Sequence, residues 1–200
     1  IASAQDVVVK EVYAVFDTAV LHGGTAIWRC YRGKRFSEDL DFYFPKNKEK
    51  IELLFGHLKR LGFDIMKKKI SETSVYSELK LDRISVRLEA TFQHISGVIC
   101  DYELSDGNFI SIYSLTPEQF LVEKAHTYLK RFKVRDLWDV FFLLKLVKHP
   151  SRIPELGKMI AHYQQPTDEG DLRTILLEGI SPSAGDMIEY IKRTWERKNT

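Results

Sequence analysis

The chain has 200 residues, of which 44% are hydrophobic, 12% aromatic and 29% charged, and its formal net charge is +2. These values exclude a disordered, collagen-like or low-complexity chain, and they exclude a protein that is basic over its whole surface. The length corresponds to one large domain or to two small ones.

The sequence shows no pattern for zinc binding, membrane insertion or secretion. Its two cysteines, Cys30 and Cys100, belong to no CxxC pair and to no Cys/His cluster, so we interpret them as free thiols of a reducing compartment. No apolar segment approaches the roughly 18 residues that a membrane span needs, and the first residues lack the basic and apolar regions of a secretory signal. We therefore expect a cytoplasmic protein without membrane association.

Helix and strand patterns alternate in the first part of the chain. Apolar residues at helical spacing predict helices over residues 5–16, 24–31 and 48–61. Apolar and polar residues that alternate predict strands over 18–22, 40–44, 63–69, 74–81, 84–92, 98–104 and 109–113. This mixture predicts an α+β fold.

From residue 115 onward the patterns are helical only. Thr116, Pro117 and Gln119 match the N-cap, N1 and N3 positions of a capping box, so a helix is expected over 117–131. Further helices are expected over 134–147, 154–163 and 184–197. We therefore predict an α/β module over residues 1–114 and a helical module over residues 115–200.

Two aspartates begin one of the predicted strands. Because side chains alternate along a strand, Asp39 and Asp41 should share one face, with Leu40 and Phe42 on the other. Two carboxylates that close repel each other and keep their charge best around a cation, and hard oxygen ligands suit Mg²⁺ or Mn²⁺. A lone Asp-x-Asp is also compatible with two solvated acids at a strand end.

Two glycines precede the aspartates, between an apolar strand and a predicted helix. At such a position Gly23 and Gly24 allow backbone N–H groups to approach a phosphate, and a helix N-terminus favours an anion. The order strand, Gly-Gly, helix and Asp-x-Asp describes a nucleoside triphosphate whose phosphates lie on the loop, with metal ions between the phosphates and the aspartates.

These segments resemble a known enzyme signature. Gly-Gly-Thr-Ala at 23–26 and Arg-Phe-Ser-Glu-Asp-Leu-Asp-Phe at 35–42 resemble the DNA polymerase β-like nucleotidyltransferases, and among them the AbiEii/AbiGii toxin family of abortive-infection toxin–antitoxin pairs. Arg-Leu-Glu at 87–89, and Lys124 followed by Arg-Asp-Leu-Trp-Asp at 135–139, extend the resemblance. It covers about residues 5–147.

The resemblance implies a mixed nucleotidyltransferase-type sheet flanked by helices, and an enzyme that transfers a nucleoside monophosphate from a triphosphate and releases pyrophosphate. Five residues would have catalytic roles: Asp39 and Asp41 as ligands of Mg²⁺, Glu89 as general base or further ligand, Lys124 on the triphosphate, and Asp136 orienting the triphosphate or the acceptor. The expected nucleotide-binding residues are Gly23, Gly24, Thr25, Arg35 and Arg87.

The residues themselves leave alternatives for several of these assignments. Asp82, Asp101 and Glu103 also lie in or near strands and compete with Glu89 as the third carboxylate. Arg87 could form an ordinary salt bridge on its strand, and Lys124 an ordinary bridge to an aspartate of the next helix.

The acceptor and the partners are expectations from the resemblance as well. It favours a tRNA or another RNA end as acceptor and a cognate antitoxin as regulator. Basic residues just before Asp39 and over 124–148 would suit such an acceptor if the fold brings them to one cleft. The alternatives are a small-molecule or protein acceptor outside a toxin–antitoxin pair, and a catalytically silent relative that binds a nucleotide or a partner.

Overall fold

The computed structural model describes residues 1–196, and its contacts divide the chain into two compact units. The first unit comprises Ile1–Arg32 and Ser37–Leu115, and the second comprises Gly33–Phe36 and the chain from Thr116 onward. The two domains expected over 1–114 and 115–200 stay a prediction, since a division by contacts does not test independent folding. Arg197, at the end of the last expected helix, lies outside the described residues.

The first unit combines helices with a seven-stranded sheet. The expected helices and strands of this part are confirmed, with ends that shift by a few residues, as is usual at helix and strand ends. In chain order they are α1 (Ala2–Val15), β1 (Val20–His22), α2 (Gly23–Tyr31), β2 (Asp39–Phe44), α3 (Lys48–Arg60), β3 (Asp64–Ile70), β4 (Ser74–Leu81), β5 (Ile84–Phe92), β6 (Val98–Glu103) and β7 (Phe109–Ser114).

The sheet is mixed, with the strand order β3-β4-β5-β2-β1-β7-β6. Two of its pairings are parallel, β2 with β5 and β1 with β7, and the other pairings are antiparallel. The predicted α+β class with a mixed sheet and flanking helices is therefore confirmed.

The central strand β2 has two different sides. Leu40, Phe42 and Phe44 are fully buried, whereas Asp39 and Asp41 alternate with them and are partly exposed. On the neighbouring β5 the same alternation buries Val86, Leu88 and Ala90. The apolar side forms the core of the unit, and the polar side is called the carboxylate face below.

The second unit is helical. Its helices are α4 (Pro117–Arg131), α5 (Val134–Leu143), α6 (Pro154–Ala161), α7 (Leu172–Ile175) and α8 (Ala184–Glu196), with 3-10 turns at Leu144–Leu146, Pro150–Arg152 and Glu169–Asp171. The capping box is present: Thr116 Oγ1 accepts from the Gln119 amide, and Gln119 Oε1 accepts from the Thr116 amide.

Two expectations for this unit need correction. The helix expected over 134–147 is α-helical only to Leu143. A 3-10 turn follows over Leu144–Leu146, as often happens where the last turn of a helix tightens, and Val147 is extended. The short helix α7 was not expected, since four residues carry no periodic pattern. Among residues 1–196 no helix is both long enough and apolar enough to cross a membrane.

A short segment between α2 and β2 belongs to the second unit. Its backbone forms a β-bridge between Arg35 and Leu176, the Phe36 amide donates to the Ile175 carbonyl over 2.8 Å, and the Leu177 amide donates to the Lys34 carbonyl over 2.9 Å. The chain just before Asp39 is therefore held by residues 175–177 of the second unit.

Candidate active site

Gly23 opens helix α2 in a conformation that other residues avoid. Its φ is +72°, and a Cβ at this position would overlap Asp41 Oδ2 and lie 2.9 Å from Asp41 Cγ. The absence of a side chain thus allows the start of α2 to pack directly against Asp41. His22, at the N-cap, makes no side-chain capping bond, so no side chain caps the first amides of the helix from that position.

Thr25 has a different environment from the one expected for a phosphate-binding hydroxyl. The residue is fully buried, and its Oγ1 donates a hydrogen bond to the Asp39 carbonyl oxygen over 2.6 Å. The hydroxyl therefore ties α2 to the first residue of β2. Thr25 lies in the first turn of the helix, but its hydroxyl is already used in this bond, which leaves its backbone amide as the group that a phosphate could contact.

The parallel pairing of β2 with β5 places four charged residues side by side. In this register Asp39 lies opposite Arg87, and Asp41 lies opposite Glu89. Because directly paired residues point to the same side of a sheet, all four side chains belong to the carboxylate face. Arg87 Nε lies 2.6 Å from Asp39 Oδ1, with the arginine side chain 45% exposed.

Asp39 Oδ1 is the carboxylate oxygen that takes part in this ion pair. It is shielded from solvent and accepts no hydrogen bond of ordinary angle from the described residues, although the guanidinium is close. The environment of Asp39 Oδ1 thus suits a cation, since the one charged group close to it is the Arg87 guanidinium.

The carboxylates of this face influence one another. Partial desolvation raises the pKa of Glu89 above its usual value, the charges of Asp41 and Asp39 raise it further, and Arg87 acts in the opposite direction. The rivals of Glu89 lie elsewhere: Asp82 is in the turn between β4 and β5, and Asp101 and Glu103 are on β6 at the far edge of the sheet. Glu89 is thus the carboxylate of β5 that faces Asp41.

The carboxylate face does not enclose a complete metal cage. In the part of the chain that the structure describes, no three His, Cys, Asp or Glu side chains are grouped closely enough to hold an ion by themselves. Any ion bound by Asp39 and Asp41 would therefore need further oxygens from water or from a substrate, as Mg²⁺ commonly takes them.

A second group of charges is buried in the helical unit. Arg35 donates from Nε and Nη2 to the two carboxylate oxygens of Asp139, each over 2.6 Å. Lys124 Nζ lies 2.8 Å from Asp139 Oδ2, and all three residues are buried. Burial alone would raise the pKa of Asp139, but Arg35 and Lys124 outweigh it and hold that pKa below the usual value.

Asp136 belongs to the same group. It is fully buried and accepts two hydrogen bonds from Arg131, of 2.6 and 2.8 Å, while Lys124 Nζ lies 3.8 Å from it. The structure therefore gathers Asp39, Asp41, Glu89, Arg87 and the Gly23–Thr25 turn in the first unit. It gathers Arg35, Lys124 and Asp136 in the second.

Sequence reasoning missed one member of this buried group, Arg131. A bridge from Lys124 to an aspartate of the next helix was an alternative from the sequence, and the apolar surround of α5 indicates that Asp136 and Asp139 need a partner. Arg131 at the end of α4 and Asp136 in the first turn of α5 are close in sequence and could have been matched.

The whole chain was compared with known proteins. The family model described as "Nucleotidyl transferase AbiEii toxin, Type IV TA system" matches residues 11–195. The nucleotidyltransferase toxin MenT4 of Mycobacterium tuberculosis is similar in structure, with a TM-score of 0.66 and 15% identity over 96% of this chain and 80% of that one. JHP933 of Helicobacter pylori gives a TM-score of 0.63 and 18% identity, over 96% of this chain and 88% of that one.

No protein with a curated description matches the sequence. At identities of 15% and 18% the two solved structures show a shared fold. The family match is more informative, since it extends from helix α1 into helix α8 and includes both groups of charged residues. The chain therefore belongs to the AbiEii nucleotidyltransferase toxin family of type IV toxin–antitoxin systems, and it is a nucleotidyltransferase.

Proposed function

We propose that this protein transfers a nucleoside monophosphate from a nucleoside triphosphate to a hydroxyl at an RNA end, with Mg²⁺ as cofactor and release of pyrophosphate. The observation that carries the proposal is the parallel register of β2 and β5. It sets Asp39, Asp41 and Glu89 on one face, next to the glycine turn that packs on Asp41.

The residues present suit a divalent metal. Asp39 and Asp41 offer hard carboxylate oxygens, and Asp39 Oδ1 already lies 2.6 Å from one cation, the Arg87 guanidinium. These two side chains would hold Mg²⁺, or Mn²⁺ in its place. When bound, the ion would neutralise phosphate charge and lower the pKa of the acceptor hydroxyl.

Glu89 is the proposed general base. Its raised pKa brings it closer to the range in which a carboxylate accepts a proton effectively at neutral pH. Glu89 would take the proton of the acceptor hydroxyl while that oxygen forms a bond to the α-phosphorus. The bond from the α-phosphorus to the bridging oxygen breaks, and pyrophosphate leaves with the electron pair.

The nucleotide would lie against the start of α2. The backbone amides of Gly23, Gly24 and Thr25 would donate to phosphate oxygens, as helix N-termini commonly do. The Arg87 side chain is 45% exposed and would turn from Asp39 towards the phosphates, where its charge would stabilise the transition state.

The charged residues of the second unit have a different proposed role. Arg35, Asp136 and Asp139 are buried, and each makes two short charged hydrogen bonds within this group, so little of their hydrogen-bonding capacity remains for a ligand. We propose that Arg35 and Asp136 act as positioning residues. Lys124, with contacts to both aspartates, remains the proposed contact of this group with the triphosphate.

The proposal includes a cellular setting, which the family membership supports. A toxin that uses nucleoside triphosphates and RNA would act in the cytoplasm, where both are abundant, and a cognate antitoxin would regulate it.

Incubation of the purified protein with each α-³²P-labelled triphosphate, Mg²⁺ and total tRNA tests the proposal. Label should enter RNA, Asp41→Asn and Glu89→Gln should abolish the transfer, and Glu103→Gln, an acid on the distant strand β6, should retain it. Label found only in a small molecule or in protein would refute the RNA acceptor. Equal loss in Glu89→Gln and Glu103→Gln would refute the assigned base.

A further inference from the structure

One row of side chains crosses the carboxylate face from the sheet edge to the candidate metal ligands. Register partners place Lys69 beside Tyr76, Tyr76 beside Glu89, and Glu89 beside Asp41. Neighbouring strands are about 4.8 Å apart, so Tyr76 lies roughly 5 Å from the line of Glu89 and roughly 10 Å from that of Asp41.

Tyr76 is an aromatic residue on this polar face. It is partly exposed, and its neighbours along β4, Val75 and Ser77, are buried on the other side. Lys67 Nζ lies 5.0 Å from the centroid of the Tyr76 ring, at the distance of a cation–π contact. The ring of Tyr76, one strand away from Glu89, thus lies next to the positive charge of Lys67.

The lysines of the edge strand β3 divide between its two sides. Lys68 points to the helical side, where it forms an ion pair of 2.6 Å with Glu52 of α3. Lys67 and Lys69 are exposed, and neither has a carboxylate within 4.0 Å among residues 1–196. Lysines protect edge strands from aggregation in many proteins, but that role does not require a tyrosine beside them on the neighbouring strand.

Acidic and basic residues of β3 and β4 surround this row. Glu78 lies opposite both Lys67 and Arg87, so that one carboxylate faces two cations, and Asp64 lies opposite Lys80. The positive charges of Lys67 and Lys69 therefore exceed the negative charge of Glu78 beside Tyr76. A polycationic acceptor would be repelled by the lysines. A chain with phosphates and flat bases matches both the positive charge of the lysines and the aromatic ring of Tyr76.

We propose that Tyr76, with Lys67 and Lys69, binds the single-stranded end of the RNA acceptor beside the carboxylates. This inference rests on the proposed function, and it assigns the acceptor path to strands β3 and β4. One base stacks on Tyr76, the adjacent phosphates lie near the two lysines, and the terminal hydroxyl reaches Glu89.

Binding of a fluorescein-labelled single-stranded oligoribonucleotide, followed by anisotropy without any triphosphate, tests the surface directly. The double variant Lys67→Gln/Lys69→Gln should bind more weakly, and its slope of log affinity against log salt should be shallower by about 1.4. Lys68→Gln is the matched control on the same strand and should bind as the wild type does. Tyr76→Ala should lose about tenfold in affinity, and Tyr76→Phe should retain it.

The transfer assay separates this inference from the proposed function. For the double variant the KM for RNA should rise while the KM for the triphosphate stays unchanged. Oligonucleotide binding that depends on Lys67, Lys69 and Tyr76, without transfer to RNA, would support the surface and refute the proposed reaction. Equal binding by the double variant and Lys68→Gln, absence of oligonucleotide binding, or label that enters protein regardless of these lysines would overturn the inference.

Discussion

The substitution Gly23→Ala tests whether the glycine turn and the aspartates form one site. The new Cβ would overlap Asp41 Oδ2, and it would lie 2.9 Å from Asp41 Cγ and 3.0 Å from Asp41 Cβ. Rotation of the carboxylate alone does not relieve contacts that extend to the Cβ. Either Asp41 or the start of α2 must therefore move.

The magnitude has two parts. A residue with a Cβ at φ +72° costs about 1–2 kcal/mol of stability relative to glycine. The displacement of Asp41 adds to this, and a misplacement of about 1 Å in an active site reduces the rate about 100-fold. We expect Gly23→Ala to lose a little stability and to lose at least 100-fold in nucleotidyl transfer.

Gly107→Ala is the matched control. Gly107 also has a positive φ, of +84°, but nothing lies within 4 Å of a Cβ built there. Urea denaturation should show a similar backbone cost in both variants, and only Gly23→Ala should lose transfer and Mn²⁺ binding. Wild-type transfer by a folded Gly23→Ala protein would refute the packing of the turn on Asp41 as a requirement for the site.

Three further changes test other parts of the molecule. Asp139→Asn should lower the free energy of unfolding at neutral pH by about 3–5 kcal/mol, because it removes one partner of a buried ion pair. Since the pKa of Asp139 is held below its usual value, the stabilisation by its charged form is present above about pH 4 and is lost at lower pH. In urea denaturation, the difference in free energy of unfolding between wild type and Asp139→Asn should therefore become smaller below about pH 4. A difference that stays constant with pH would contradict the ion pair. Arg87→Ala should bind Mn²⁺ about fivefold more tightly in calorimetry, because a competing cation is removed, while transfer falls; weaker Mn²⁺ binding would contradict this. Gly157→Ala should lower stability by about 1–2 kcal/mol in thermal denaturation, since its Cβ would lie 2.7 Å from the Trp195 ring. Gly185→Ala should be neutral or stabilising, since its Cβ would make an ordinary contact of 3.7 Å with Ser183 Oγ.

Local structure in this chain could be predicted because it depends on neighbours in sequence. The strand β2 alternates aspartates with Leu40 and Phe42, and this alternation alone places Asp39 and Asp41 on one side. The capping box at Thr116 likewise follows from residues within one turn. The family resemblance added the enzyme class, which no periodicity contains.

The partners of buried charges could not be predicted in the same way. Arg35 precedes Asp39 in the sequence and therefore resembled a phosphate-binding residue. Its actual partner, Asp139, lies on a helix of the second unit, and the pairing depends on the backbone bridge between Arg35 and Leu176. Proximity in sequence to a catalytic motif was a misleading indicator of what its guanidinium contacts.

The placement of Glu89 beside Asp41 depends on the register of two parallel strands. Between β2 and β5 the chain forms α3 and two hairpin strands, and no local pattern in these elements specifies which residue of β5 faces Asp41. The register is enforced by the core instead, because Val86, Leu88 and Ala90 must be buried together with Leu40 and Phe42. A slip of one residue would turn Leu88 or Ala90 to the carboxylate face and Glu89 into the core, at a high cost in free energy. The hydrophobic alternation that stabilises the sheet is therefore also what turns Glu89 to the same face as the two aspartates.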